Sequence, residues 1–236
     1  MEKENTGYNY LYGPVLARRL GRSLGVDLVP YKICSYDCIY CQLGLTTDKT
    51  LKRRCYIPAE KILVELEKKL AVADRPDYIS LAGSGEPTLN SEIGLLIEGI
   101  KKLTDIPIAV LTNGSLLWMP EVQDDLMAAD LVIPSLDAGS SALFRYVNRP
   151  HPDLSFEQMV DGLITFSQRF GGDIWLEVLL LAGVTGMEAE VRKIAELSKK
   201  IGATKVQLNG VERPPVESFV FPVAKKQMQA FAALFD

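Results

Sequence analysis

What most restricts the fold of this chain is an alternation, kept up along most of its length, of short apolar runs with segments whose apolar residues recur at helical spacing. The runs at 24–29, 78–82, 108–112, 131–136, 174–181 and 205–208 read as strands, and Pro30 ends the first of them. Between them lie helices. Pro58 opens one with Ile62, Leu63, Leu66 and Leu70 on a single face, and 93–103 and 121–128 follow the same period. Ser155 and Gln158 make a capping-box pattern ahead of Met159, Val160, Leu163 and Ile164, and Gly202 stops a helix over 188–201. Strands that alternate with helices pair in parallel, and continuous apolar strands are buried on both faces. Right-handed crossovers curl such a sheet. An eight-stranded barrel normally needs about 250 residues or more, so the expected fold is α/β, a partial TIM-like (β/α)6 barrel with mostly parallel strands.

The 236 residues, 47% of them apolar, suit one large domain. Residues 1–22 read as an N-terminal extension without a clear period, 23–213 as the barrel core and 214–236, after Pro214 and Pro215, as a C-terminal segment. A helix over 225–235 runs to the end of the chain, which suggests C-terminal truncation; intact mass against the encoded length of the natural protein checks this. The formal charge of −4 argues against a broad basic nucleic-acid surface but is compatible with a local patch. The opening ten residues are polar, and the longest apolar run, 174–184, is too short and interrupted to span a bilayer. A cytoplasmic protein without a membrane partner is the expectation.

Three of the four cysteines, Cys34, Cys38 and Cys41, fall in one short C-x3-C-x2-C loop. A closed structural zinc site wants four ligands, and the only histidine, His151, lies more than a hundred residues away. Three thiolates can instead hold three irons of a four-iron, four-sulfur cluster and leave one iron open for chemistry. Disulfides within so tight a loop would be strained. Zinc binding stays an alternative, and Cys55 reads as a thiol outside the ligand set. Clustered thiolates suit a reducing interior.

In parallel barrels the reactive groups sit on loops leaving the carboxyl ends of strands. The second strand ends in Gly83-Ser84-Gly85-Glu86, where glycines allow close backbone approach to a ligand and Glu86 offers an acceptor for an ammonium group; the same residues suit a tight turn. Asn113 ends the third strand, and Ser135 and Asp137 the fourth; each is also a favoured helix cap. Glu177 interrupts an apolar fifth strand and must face the lumen or a basic partner, as an ion pair or a ligand contact. Asn209 and Arg213 follow the sixth, as ligand contacts or loop residues. Near the start, Arg18, Arg19 and Arg22 form a small basic cluster, either solvated or in contact with an anion.

The cysteine loop, with Tyr40 just before Cys41, and the GSGEP run that departs from a GGEP motif only by Ser84, resemble the radical S-adenosylmethionine superfamily. The resemblance implies a partial barrel and a [4Fe-4S] cluster on Cys34, Cys38 and Cys41, with S-adenosylmethionine on the open iron. One-electron cleavage of the sulfonium then gives a 5′-deoxyadenosyl radical that abstracts hydrogen. It further implies that the Gly83–Glu86 backbone holds the methionyl amine and that Ser135 and Asp137 meet the ribose, with Asn113 a further candidate; Tyr40 packs near the adenine or fills the core, and Asn209 and Arg213 contact adenine or a carboxylate or serve the loop. A reducing donor such as flavodoxin or ferredoxin is implied as a partner. Residues 12–14, 18–21, 112–116 and 135–138 are similar to uncharacterised iron–sulfur oxidoreductases related to tRNA wyosine-base synthases. Residues 1–33 lack the cysteines those synthases are expected to use for a second cluster. The substrate class stays open among nucleotide, RNA and protein, the last as in glycyl-radical activating enzymes; a non-catalytic iron–sulfur or zinc module is the reading from outside enzymes.

Overall fold

The apolar runs hydrogen-bond into a seven-stranded sheet. The structure, a computed structural model, describes residues 8–235; residues 1–7 of the polar opening and residue 236 lie outside the described residues. A hairpin comes first, β1 (Leu11–Ala17) antiparallel to β2 (Gly21–Asp27). Next, β3 (Ile33–Cys34) and β4 (Asp48–Lys49) make a separate two-stranded parallel ladder. The repeating part runs α1 (Ala59–Val72), β5 (Tyr78–Ala82), α2 (Ile93–Leu103), β6 (Ile108–Thr112), α3 (Pro120–Leu126) and β7 (Leu131–Pro134). It continues with α4 (Ser141–Val147), α5 (Phe156–Arg169), β8 (Asp173–Leu179), α6 (Glu188–Ile201) and β9 (Lys205–Asn209), and α7 (Lys225–Ala232) follows. Strand order is β1-β2-β5-β6-β7-β8-β9, parallel throughout from β2 to β9. This is the α/β architecture with a mostly parallel sheet that the alternation predicts.

The first strand is where the sequence misleads. Its register shifts between Tyr12 and Val15, so period-two alternation is broken, and Leu16 lies exposed on an edge. Residues 11–17 of the expected extension therefore pair into the sheet. The hairpin is locked by size: a Cβ on Gly25 would sit 2.0 Å from Tyr12 Cζ, so only glycine leaves room for the tyrosine ring.

Register partners in a parallel ladder share a face. Leu24, Val26, Ile79, Leu81, Leu176 and Val178 line the outer face and are fully buried in the core that includes the helices. On the inner face a smaller apolar plug, Leu20, Ala109, Leu131 and Ile133 packed with Trp175, fills the end near the amino termini of the strands. Toward the carboxyl ends the inner face turns polar, with Asp27, Glu177, Gln207 and Asn209. Burial on both faces thus holds for one half of the sheet, and the polar half faces the site.

Local chemistry explains the helix ends. Ser155 Oγ accepts from the Gln158 amide at 3.0 Å, and Gly202 takes the left-handed φ of 69° that ends α6. Glu92 Oε2 accepts the otherwise orphaned Ala59 amide at the start of α1. Helix α4 has seven residues and the β3–β4 ladder two on each side, too short for periodicity to reveal. Among the described residues no helix is long and apolar enough to cross a membrane.

Candidate metal and cofactor centre

The chain leaves the carboxyl end of β2 and enters the cysteine loop, which neighbouring backbone holds on two sides. Cys34 pairs with Lys49 across the small ladder, and the Thr50 amide donates to Cys34 O at 3.0 Å. On the other side the Asp37 and Ile39 amides donate to Asn148 O and Val147 O at 3.0 and 2.9 Å, at the end of α4. Asp37 Oδ1 accepts the Thr46 amide at 2.7 Å and closes the loop.

All three loop cysteines are free and half-buried, and each sulfur accepts from a different nitrogen. Asn113 Nδ2 lies 3.5 Å from Cys34 Sγ, Asn148 Nδ2 3.5 Å from Cys38 Sγ, and Lys32 Nζ 3.1 Å from Cys41 Sγ. Burial, with the Glu86 charge second, pushes the Cys34 thiol up to about 11, and burial pushes Cys38 well above the ordinary thiol range. Burial thus disfavours the Cys34 and Cys38 thiolates, while the amide donors on their sulfurs act the other way. Among the described residues no three His, Cys, Asp or Glu side chains converge on one ion. In an iron–sulfur cube, by contrast, each cysteine meets a separate iron. Three soft sulfurs with individual N–H donors fit three corners of a [4Fe-4S] cluster.

The glycine loop after β5 is fastened to this loop. Gly83 has φ +119°, and a Cβ there would lie 1.9 Å from Asp27 Oδ1; a Cβ on Gly85 would lie 2.0 Å from Ile33 O. Neither position admits a side chain. Asp27, at the end of β2, accepts the Ser84 amide at 2.5 Å and its hydroxyl at 2.8 Å. The serine that replaces the motif's usual glycine therefore ties β5 to β2. The Lys32 amide donates to Ser84 O at 2.7 Å, and the Glu86 amide to Ile33 O at 3.1 Å.

Glu86 sits differently from the sequence expectation. It is 1% exposed, and its Oε1 accepts from the Thr88 amide (3.0 Å), the Thr88 hydroxyl (2.6 Å) and the Thr112 hydroxyl (2.6 Å). Its Oε2 accepts from the Asn113 amide at 2.7 Å. Three of these four donors converge on Oε1 and one on Oε2, so the buried carboxylate is engaged chiefly by its own chain. Burial raises its pKa, while the donors pull the other way. Glu86 instead fixes Asn113, whose side chain reaches Cys34 and, at 2.9 Å, Ser35 Oγ.

Asp137 is also buried, and burial raises its pKa. Tyr40 OH donates to Oδ2 at 2.5 Å, Asn148 Nδ2 to the same oxygen at 3.0 Å, and the Leu179 amide to Oδ1 at 3.0 Å. Ser135 pairs with Glu177 in an isolated parallel bridge. Glu177 forms an ion pair with Arg19 and accepts from Asn209 Nδ2 at 2.6 Å, while Arg19 also donates to Gln207 Oε1 at 2.8 Å. Arg18 pairs with Glu212, and Arg22 Nη2 with Asp74 at 3.3 Å, so each arginine of the basic cluster meets a carboxylate of this chain. Arg213 and Cys55 are exposed, and His151 lies 3.7 Å from Asp153.

The expected site residues thus fall into two joined networks. Cys34, Cys38, Cys41, Tyr40, the Gly83–Glu86 loop, Asn113 and Asp137 form one at the strand ends. Glu177 and Asn209 form the other on the inner face, with Ser135 between them. Sequence reasoning missed Lys32, Asp27 and Asn148, and placed Thr112 at the third strand's mouth without seeing its bond to Glu86. The first two flank the cysteine loop and carry charge, a readable signal; Asn148 lies 110 residues from Cys38 and has none.

A family model described as the Radical SAM superfamily matches residues 28–198. A protein of Brachyspira hyodysenteriae named GTPase Obg is 46% identical over 198 residues, covering 84% of this chain but 29% of its own length. The chain has no G-x-x-x-x-G-K-[ST] phosphate loop. A UPF0026 protein of Methanocaldococcus jannaschii is 36% identical over 227 residues, 95% of this chain and 70% of that protein. Among solved structures, TYW1 with a lysine–pyruvate adduct bound superposes with a TM-score of 0.68 at 16% identity, covering 91% of this chain and 73% of that one, a likeness of fold.

Proposed function

Because the chain belongs to the radical SAM superfamily, we propose that Cys34, Cys38 and Cys41 hold a [4Fe-4S] cluster that binds S-adenosylmethionine at its fourth iron. When bound, the cluster supplies the electron that splits the sulfonium into methionine and a 5′-deoxyadenosyl radical, which takes hydrogen from a substrate. The observation that carries this reading is three free thiols in one loop, each with its own N–H donor, the start of that loop being hydrogen-bonded to the fixed glycine loop of the next parallel strand.

The chain's part is placement. Asp27 and the Lys32 amide hold Ser84 by its backbone, which leaves the Gly83 and Gly85 backbone to meet the methionyl group. Tyr40 lies next to the last cysteine, and its hydroxyl is tied to Asp137, which keeps its ring in place for an adenine. Ser135 offers a hydroxyl to the ribose, with Asp137 positioning the strand end behind it. Glu177 and Asn209 form the wall of the inner face below. The donor of the electron is a low-potential protein of the flavodoxin or ferredoxin kind in the cytoplasm.

For the substrate we favour a nucleotide or RNA. The exposed Lys49, Lys52 and Arg54 lie on and just after the strand paired with Cys34, giving a local basic stretch in an otherwise acidic chain, as phosphate contacts require. The test is anaerobic reconstitution with iron and sulfide, followed by dithionite and S-adenosylmethionine, with chromatography of the products. Formation of 5′-deoxyadenosine and methionine is expected. A protein that carries four irons and four sulfides yet gives neither product is a carrier, and the reading fails.

A further inference from the structure

Lys32 is the least expected charge in the molecule. It is 3% exposed, and lysines are almost never fully buried unless paired. Among the described residues no carboxylate lies within 4.0 Å of its ammonium. The partner it does have is Cys41 Sγ, at 3.1 Å.

The backbone holds it there at some cost. Lys32 has φ 58°, one of two non-glycine residues with positive φ in the described chain. Such a conformation is strained for a residue with a side chain and persists only where the surroundings over-determine it. Here the Lys32 amide donates to Ser84 O at 2.7 Å, and its carbonyl accepts from the Thr47 amide at 3.1 Å. The turn joins the glycine loop to the residues leading into β4 and brings the ammonium to the third cysteine.

The three sulfurs are therefore not equivalent. Cys34 and Cys38 accept from neutral amides at 3.5 Å, while Cys41 accepts from a cation at 3.1 Å. A charge-assisted bond in a dry place is the strongest of the three. Net charge and hydrogen bonds to the sulfurs are among the determinants of an iron–sulfur potential.

We infer that Lys32 is a positioning and tuning residue whose buried ammonium, on the Cys41 sulfur, raises the reduction potential of the cluster so that a biological donor can reduce it. The inference rests on the cluster assignment above. A fixed positive charge on a ligand sulfur would favour the more negative, reduced form of a cluster held there, so removing the charge disfavours reduction; the neutral donors Asn113 and Asn148 supply no such charge.

The test is a potential, read by paramagnetic resonance during redox titration of reconstituted wild type, Lys32→Gln, Lys32→Met and Lys32→Arg, with iron and sulfide measured in each. Lys32→Gln keeps an N–H donor without the charge, and Lys32→Arg keeps the charge. At a fixed solution potential the reduced-to-oxidised ratio is expected to fall about tenfold in the Gln and Met variants, which is about 59 mV for a one-electron couple. The Arg variant is expected to stay near wild type. Clusters lost from Gln and Met but kept in Arg support the same dependence on charge. Unshifted potentials in loaded Gln protein, an equal shift in Arg and Gln, or cluster loss in all three variants overturn the inference. If Gln is unshifted but binds S-adenosylmethionine more weakly, Lys32 serves the ligand and the inference also fails. A wild type that assembles no [4Fe-4S] cluster refutes the proposed function instead.

Discussion

Replacing Glu86 with glutamine changes one oxygen to an NH2 group where the carboxylate now accepts from four donors. If the new carbonyl takes the Oε1 position, the NH2 confronts the Asn113 amide, 2.7 Å from the original Oε2. If it takes the other position, the NH2 faces the Thr88 amide and the two threonine hydroxyls that Oε1 now serves. The hydroxyls can turn to accept, but the Thr88 amide cannot. Either orientation leaves a backbone N–H, that of Asn113 or of Thr88, without its acceptor beside a residue 1% exposed. An unsatisfied buried donor costs about 1–3 kcal/mol, and a hydrogen bond to a charged group contributes about 1.5–3 kcal/mol. Together the expected loss is about 3 kcal/mol, a large part of a typical domain's 5–15 kcal/mol. In urea, with a slope of about 3 kcal/mol/M for a chain of this size, the unfolding midpoint of the cluster-free protein should fall by about 1 M. The isosteric variant would have little effect if the Glu86 carboxylate were instead reserved for a ligand ammonium. A midpoint within about 0.2 M of wild type, with weakened binding of S-adenosylmethionine, refutes the internal locking described above.

Cys38→Ala should leave the protein folded, by circular dichroism, but unable to retain a [4Fe-4S] cluster after gel filtration, whereas Cys55→Ala, at an exposed position, should retain wild-type iron. Gly162→Ala should destabilise by about 3 kcal/mol or more in the same urea assay, because the added Cβ would lie 2.5 Å from Trp118 N and 2.8 Å from Trp118 Cα, backbone that cannot swing aside. Ser155→Ala removes the acceptor for the Gln158 amide and should cost about 1 kcal/mol with no change in iron content.

The parts of this fold that bury apolar surface at a regular period were legible in the sequence. Strands β5 and β6 and helices α2 and α6 lie where apolar spacing places them, because each packs against the shared core and tolerates few polar intrusions. Strand β1 was hidden by its register shift, and β3 and β4 by their length of two residues. The cysteine loop stood out because three of the four cysteines fall within one short stretch. What surrounds it was less legible. Glu86 read as a ligand acceptor, since its sequence neighbours say nothing of Thr112 or Asn113, which arrive from the next strand. Asp137 likewise read as a ribose contact or a helix cap, and nothing local announces that Tyr40, Asn148 and the Leu179 amide converge on it from three other segments. Partners contributed by the tertiary fold leave no local pattern to read.

The most direct test of the account is the paramagnetic resonance spectrum of the anaerobically reconstituted, dithionite-reduced protein, recorded before and after S-adenosylmethionine is added. With Cys34, Cys38 and Cys41 as the protein ligands, one iron is open, and the spectrum should change on addition. A spectrum indifferent to S-adenosylmethionine, or a protein that holds zinc in place of four irons and four sulfides, contradicts it.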